Sequence, residues 1–324
     1  MAKPKIGMRD AFFNALYEIA VSDPDVYIVS ADNGAPSIDQ FASNLKEQFI
    51  QVGIAEQQMI GMAAGLALEG KKVYTYAICP FITARVYEQI KIDVCAQNLP
   101  VTMLGVGAGY AYDIMGPTHH TVEDFAILRV QPNMTILSPA DGTTAAAMAP
   151  WTHRHAGPCY VRFDRAGLPE IYDAAPDLAR GFAVLREGSD CAIVATGVMV
   201  GQALAAAEEL HRRGISAGVV DLFRIKPVDA AALFAALGEV PNVVTLEEHY
   251  RAGGIGGMFA EMIADREEPR RLLRLGQHDR FAFEMGGRSV IWENAGLDVP
   301  GIVTRVDRWM AAAREGRLAA AGRS

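Results

Sequence analysis

Closely spaced cysteines are missing from this sequence: Cys79, Cys95, Cys159 and Cys191 stand far apart, with no CxxC pair. Zinc-site and redox-motif spacings are thereby excluded. Each cysteine sits in an apolar stretch and reads as a small buried side chain in a reducing compartment. Clusters of lysine and arginine are also missing. With 30 basic residues against 38 acidic ones, the net charge is −8, which argues against a polyanion-binding surface. No segment reaches the roughly 18 consecutive apolar residues of a membrane span. The opening MAKPKIGMRD carries no apolar run of the signal-sequence kind, and there is no internal repeat. The expectation is a soluble, cytoplasmic protein. At 324 residues, 51% apolar and 21% charged, the chain has enough material for two domains with real cores.

Short apolar runs alternate with segments of helical period. Strands are predicted at Val26–Ser30, Val73–Ala77, Val101–Val106, Met134–Leu137 and Tyr160–Phe163, and again at Cys191–Thr196, Ala217–Leu222, Val243–Leu246 and Arg271–Leu275. Helices are predicted at Met8–Val21, Glu56–Leu68, Thr83–Gln97, Thr143–Thr152, Val200–Arg213 and Asp229–Leu237, with a further helix in the tail from Met310. Such alternation gives the α/β class, with mainly parallel sheets covered on both sides by helices. A stretch rich in proline, glycine and scattered charge around Ala166–Gly188 divides the chain. The expected organisation is one three-layer α/β/α domain over 1–170, a linker over 171–188 and a second such domain over 189–324.

Ligands of open α/β sheets sit at the carboxyl ends of the strands, and three segments of the first half should converge there. GIAEQQMIGMAAGLALEG (Gly53–Gly70) puts Glu56 at the start of a helix of small residues. A first-turn acid favoured by the helix dipole explains a lone glutamate equally well. In YAICPFITARVYEQI (Tyr76–Ile90), Phe81 follows a strand and a proline, and Tyr87 lies further along. Either aromatic suits a core or a stacking platform. GVGAGYAYDIMGPTHHTVED (Gly105–Asp124) is a long Gly- and Tyr-rich loop ending in His119 and His120, a pair that caps structure or does chemistry. Its GVGAG portion fails the dinucleotide fingerprint, having neither the third glycine nor the helix start. The AGGIGG run at Ala252–Gly257 reads as close loop–helix packing, and nearby His249 as structural.

Taken together, these segments resemble the transketolase superfamily over nearly the whole chain. GIAEQQM resembles the motif of the cofactor-activating glutamate, and GPTHH the substrate-loop motif. SADNGAPS (Ser30–Ser37) resembles the SAD–PS segment, and YVRFDRAGLP (Tyr160–Pro169) the strand whose final arginine binds a sugar phosphate. ATGVMVGQALAA, VVDLFRIKPVD and TLEEHYRAGGIGG resemble the family's C-terminal domain. The resemblance implies a pyrimidine-binding domain followed by a C-terminal domain, and thiamine diphosphate as cofactor. That cofactor reacts at C2 of its thiazolium ring after its own aminopyrimidine removes the proton. Glu56 would face the pyrimidine ring nitrogen, with burial beside an aromatic ring favouring its protonated form. Phe81 would stack on the pyrimidine with Tyr87 in support, and Asp32 would lie near the cofactor. His119 would hydrogen-bond substrate oxygens and move protons, beside His120. Arg165 would contact a substrate phosphate or similar anion.

The chain departs from the family pattern in two ways. No GDG occurs, and no group of carboxylates suits Mg²⁺ and a diphosphate. The resemblance therefore implies a second, diphosphate-binding subunit carrying the Mg²⁺ ligands, in an α₂β₂ assembly. At the substrate end, Met115 replaces the aspartate usual before GPTH, Gly107 a phosphate-contacting histidine, and Ala84 a second cofactor-side aromatic. The expected activity is transfer of a two-carbon ketol unit from a ketose to an aldehyde, with a sugar other than the usual pentose phosphates. The alternatives are a 2-oxo acid dehydrogenase β-like subunit, a deoxyxylulose-phosphate-synthase-like subunit, and a non-catalytic interaction subunit. A nicotinamide oxidoreductase is disfavoured by the failed fingerprints.

Overall fold

The computed structural model describes residues 6–32, 34–266 and 270–321, so the opening MAKPK and Asn33 of SADNGAPS lie outside the described residues. Twelve strands are described: β1 Val26–Ser30, β2 Phe49–Gln51, β3 Lys72–Ile78, β4 Val101–Val106, β5 Thr135–Leu137, β6 Cys159–Phe163, β7 Ala183–Arg186, β8 Cys191–Ala195, β9 Ala217–Asp221, β10 Arg224–Lys226, β11 Asn242–Tyr250 and β12 Arg271–Gln277. The helices are α1 Met8–Ser22, α2 Pro36–Asn44, α3 Glu56–Leu68, α4 Cys79–Ile82, α5 Tyr87–Gln89, α6 Asp124–Arg129, α7 Gly142–Arg154, α8 Met199–Arg212, α9 Ala230–Leu237, α10 Ile255–Asp265, α11 Arg288–Ala295 and α12 Val299–Ala321.

The strands form two sheets, ordered β10-β5-β6-β4-β3-β1-β2 and β12-β11-β8-β9-β7. All pairings are parallel except β10 on β5 and β7 on β9. Central strands such as β4 (VTMLGV) and β8 (CAIVA) are buried at every residue, as continuous apolar runs between two helical layers must be. On one face of the first sheet, Phe12, Phe13 and Leu16 of α1 pack with Phe41 of α2 and Met148 of α7. On the other face, Met59, Ile60 and Ala63 of α3 close the core. In the second sheet α8 and α12 bury Ala203, Leu210, Ile302 and Val306. The predicted α/β class and the strands of both sheet centres agree with this architecture.

Three short strands, β2, β7 and β10, were not expected. All three are partly exposed or polar, so no apolar run announces them. β10 comes from the second half of the chain yet extends the first sheet, pairing antiparallel with β5, and Lys226 Nζ donates to the Arg129 carbonyl at 2.7 Å. The stretch read as a linker is likewise built into the fold. Ile171 and Tyr172 donate backbone N–H groups to Asp141 Oδ2 at 2.8 Å each, the Tyr172 hydroxyl donates to Asp221 at 2.8 Å, and β7 pairs with β9. The helix expected over Thr83–Gln97 is broken. α4 ends where the Thr83 hydroxyl donates to the Cys79 carbonyl at 2.7 Å, and a π-helical turn at Ile90–Cys95 follows α5. All four cysteines are free and buried. Among the described residues no helix is long and apolar enough to cross a membrane.

Candidate active site at the carboxyl edge of the first sheet

Most of the residues singled out in the first half lie on segments that leave the carboxyl ends of strands of the first sheet. Asp32 follows β1, Glu56 follows β2, Phe81 follows β3, the loop bearing His119 follows β4, and Arg165 follows β6. Because β6, β4, β3, β1 and β2 are neighbours in that order, the side chains string out along one edge.

Contacts join most of them into a row. Arg165 lies over the Tyr112 ring, 5.0 Å from its centroid. The Tyr112 and His119 ring centres are 5.8 Å apart, and those of His119 and Phe81 5.3 Å apart, edge to face. The Arg85 guanidinium lies 4.2 Å above the Phe81 ring and reaches Glu56 Oε2 with Nη1 at 2.9 Å. Glu56 opens α3 and is only 5% exposed, whereas Arg85 is 44% exposed. Asp32 accepts from Gln51 Nε2 at 3.1 Å, and its backbone N–H donates to the Gly53 carbonyl on the turn into α3. An open cleft lined by Ile54, Ala55, Glu56, Gln57, Gln58 and Arg85 lies at this end.

Several expectations need correction. Glu56 does not face apolar surroundings alone: it is paired with Arg85, which the motif reading passed over. Tyr87 is held from another side. Its hydroxyl accepts from Gln131 Nε2, and among the described residues no ring contact joins it to Phe81. The adjacent histidines part company. His119 stays on the row, its Nδ1 2.9 Å from the Thr118 hydroxyl, and burial together with the neighbouring His120 lowers its pKa, so the neutral ring prevails at pH 7. His120 is buried, its ring edge-on to Tyr110 at 4.8 Å and its Nε2 donating to the Asp113 carbonyl at 3.0 Å. That contact makes it an anchor of the loop.

Gly107 explains the loop's shape. Its φ is +95°, and a Cβ there would lie 2.1 Å from the Tyr112 ring. The ring occupies the space that a side chain at 107 would take. Tyr112 itself was missed, since nothing in the motif distinguishes it from Tyr110.

The second half holds this loop through a buried polar seam. Arg288 donates through Nε to Glu248 at 2.8 Å and pairs through Nη1 with Asp164 at 2.7 Å, while its backbone N–H donates to Asp113 at 3.0 Å. Arg162 pairs with Asp124 at 3.3 Å and donates to the Thr121 and Glu248 carbonyls at 3.0 Å each. His249 stacks on Phe125 at 5.2 Å and its Nδ1 donates to the Tyr250 carbonyl at 2.7 Å; burial lowers its pKa to about 4. Glu247 caps the start of α10, accepting from Ile255 and Gly256 at 2.7 and 2.8 Å. A Cβ on Gly254 would lie 2.0 Å from that carboxylate, which is why the AGGIGG run is glycine-rich there. Among the described residues no three His, Cys, Asp or Glu side chains converge as a metal site.

Fold and site together define an open-sheet α/β protein whose ligand edge carries a buried carboxylate, an aromatic platform, an imidazole and an arginine. Residues 4–170 match the transketolase pyrimidine-binding domain and residues 181–302 the transketolase C-terminal domain. One subunit of the apulose-4-phosphate transketolase of Phocaeicola vulgatus is 36% identical over 305 residues, 93% of this chain and 97% of that protein. The 6-deoxy-6-sulfo-D-fructose transketolase subunit of a Clostridium species is 36% identical over 298 residues, 91% of this chain and 92% of that protein. A solved split-gene transketolase, an inactive β4 tetramer, superposes with a TM-score of 0.83 at 34% identity, covering 94% of this chain and 98% of that one. The chain belongs to the transketolase family, as a transferase subunit of its split form.

Proposed function

We propose that this chain supplies the pyrimidine-side half of a thiamine-diphosphate site, completed by a diphosphate-binding partner subunit in an α₂β₂ assembly in the cytoplasm. In this reading residues 1–170 form the pyrimidine-binding domain, 171–188 the connection and 189–324 the C-terminal domain. The assembled enzyme moves a two-carbon ketol unit from a ketose to an aldehyde. The observation that carries the reading is the Phe81–Arg85–Glu56 contact: a flat, nitrogen-bearing cation already lies on the ring with a buried carboxylate at its edge. A planar aminopyrimidine has the shape and the nitrogens for the same two contacts, so the residues fit that half of the cofactor. Mg²⁺ and the diphosphate fall to the partner.

When bound, thiamine diphosphate supplies a nucleophilic carbon that takes up electrons as the ketose carbon–carbon bond breaks. Glu56 would hold the pyrimidine through a ring nitrogen and supply or accept a proton there, and Phe81 would give the ring a flat face to stack on. Asp32, held by Gln51 and by the turn into α3, would lie beside the cofactor. His119, neutral at pH 7 and beside Phe81, exchanges a proton with a substrate hydroxyl or carbonyl oxygen. Arg165, exposed above Tyr112, pairs with an anionic group at the far end of the sugar. With Tyr112 filling the space over Gly107, the sugar meets an aromatic wall there. A sugar outside the usual pentose phosphates suits that wall, like the apulose phosphate and sulfosugar of the relatives' names.

The test is calorimetric titration of thiamine diphosphate with Mg²⁺ into this chain alone and with its partner, followed by a ketose–aldehyde screen. Binding by the pair, and a Glu56→Gln variant slowed by about 10²–10⁴-fold, are the expected results. Failure of the confirmed complex to bind overturns the reading. Consumption of pyruvate with release of CO₂ replaces it with synthase-type chemistry.

A further inference from the structure

We propose that Arg85 is a resident stand-in for the aminopyrimidine, keeping Glu56 and Phe81 in place and giving way to the ring when the cofactor enters. The inference rests on the assignment of Glu56 and Phe81 to the pyrimidine. It concerns a residue that the motif reading passed over.

The argument is one of shared contacts. A guanidinium is planar, delocalised and edged with N–H donors. Here its flat face lies 4.2 Å from the centre of the Phe81 ring, and its edge donates to Glu56 Oε2 at 2.9 Å. These are the two contacts an aminopyrimidine needs in the same seat: an aromatic face to stack on and a carboxyl group at a ring nitrogen. Arg85 occupies one face of Phe81 and one oxygen of Glu56, and a pyrimidine that takes that same face and oxygen displaces it.

Arg85 is also able to leave. It is 44% exposed, it borders the open cleft, and its long side chain springs from the irregular segment between α4 and α5, outside any rigid helix. Glu56, by contrast, is 5% exposed and fixed at the first turn of α3. A buried carboxylate without a partner is costly. Arg85 removes that cost in the free subunit, and the pyrimidine takes over the contact in the assembled enzyme.

The consequence is a built-in competitor for the cofactor. Removing it should tighten cofactor binding, whereas removing an ordinary cofactor ligand weakens it. The experiment is calorimetric titration of thiamine diphosphate with Mg²⁺ into the two-subunit complex carrying wild-type chain, Arg85→Ala, Arg85→Lys or Phe81→Ala. Thermal melting of each variant checks that it folds. Arg85→Ala should bind about three- to tenfold more tightly, the factor that a half-exposed ion pair and a cation–π contact together supply. Arg85→Lys should fall between, because an ammonium reaches Glu56 but offers no flat face to Phe81. Phe81→Ala should bind more weakly. Unchanged or weakened binding by Arg85→Ala, with wild type binding normally, overturns the inference and leaves the cofactor assignment standing. Absence of binding by wild type in a confirmed complex overturns both.

Discussion

Gly107 and Tyr112 form the most tightly coupled pair of single residues at the site. A side chain at 107 meets two penalties: φ of +95° is strained for any residue with a Cβ, and the Tyr112 ring stands 2.1 Å from where that atom would go. Gly107→Ala is expected to destabilise the protein by about 1–3 kcal/mol, measured by urea denaturation. In a Tyr112→Ala background the penalty should shrink, because the clash is gone and only the backbone strain remains; a double-mutant cycle separates the two. Tyr112→Ala should also raise KM more than it lowers kcat, since the ring bears on Arg165 and His119 and not on the Glu56 end of the row. Glycine in this loop was legible as unusual, but that its neighbour five residues on fills the space was not. A turn brings the two together, and no periodicity records it.

At the scale of elements, α11 governs the loop between β4 and α6 although the two lie far apart in sequence. Its first residue, Arg288, binds Asp113 of the loop through its backbone and Glu248 and Asp164 through its side chain. Arg288→Ala leaves two buried carboxylates without their cation. The expected cost is about 3–5 kcal/mol, read by denaturant unfolding. KM for the sugar should rise as well, since Asp164 adjoins Arg165 and Asp113 lies six residues before His119. An assay finding the stability loss but an unchanged KM confines α11 to holding the domains together. The second half of the chain thus anchors the loop that carries His119. Motif reading identified the loop and its histidines, yet the seam escaped it. Asp124, Arg162, Glu248 and Arg288 are each ordinary charges until folding buries them together.

For the molecule as a whole, three deeply buried groups bear on how stability varies with pH. Burial raises Asp221 from 3.8 to about 8 and Glu247 from 4.5 to about 7, so between those values the folded state holds protons that the unfolded chain has released. Stability contributed by these acids is lost as pH rises through that range. His249 works in the opposite sense. Lowered from 6.5 to about 4, it makes the folded state resist a proton that the unfolded chain accepts, so stability falls as pH drops from about 6.5 toward 4. The opposing slopes partly cancel below pH 6.5, and above it the slope of the two acids prevails until Lys72, lowered to about 8, begins to oppose it. The free chain should therefore lose stability across that upper window. Asp221→Asn, which keeps an acceptor for the Tyr172 hydroxyl, should flatten the decline by up to about 1.4 kcal/mol per pH unit. Chemical denaturation at intervals between about pH 5 and 8.5 measures both slopes; an unchanged slope in the variant removes Asp221 from the account.

The sequence by itself determined the α/β class, the central strands of both sheets and the family, because these rest on local matters: apolar runs long enough to be buried on both faces, and motifs whose order along the chain carries their meaning. It also put Glu56 at the start of a helix, and Phe81, His119 and Arg165 on segments that follow predicted strands. Only the tertiary structure decided that Arg85 joins Glu56 to Phe81, that His120 turns inward while His119 does not, that Tyr87 serves Gln131, and that β10 crosses to the first sheet. Each depends on which side chains meet across the fold, and a contact between distant residues is fixed by packing and burial, not by the identity of either residue alone.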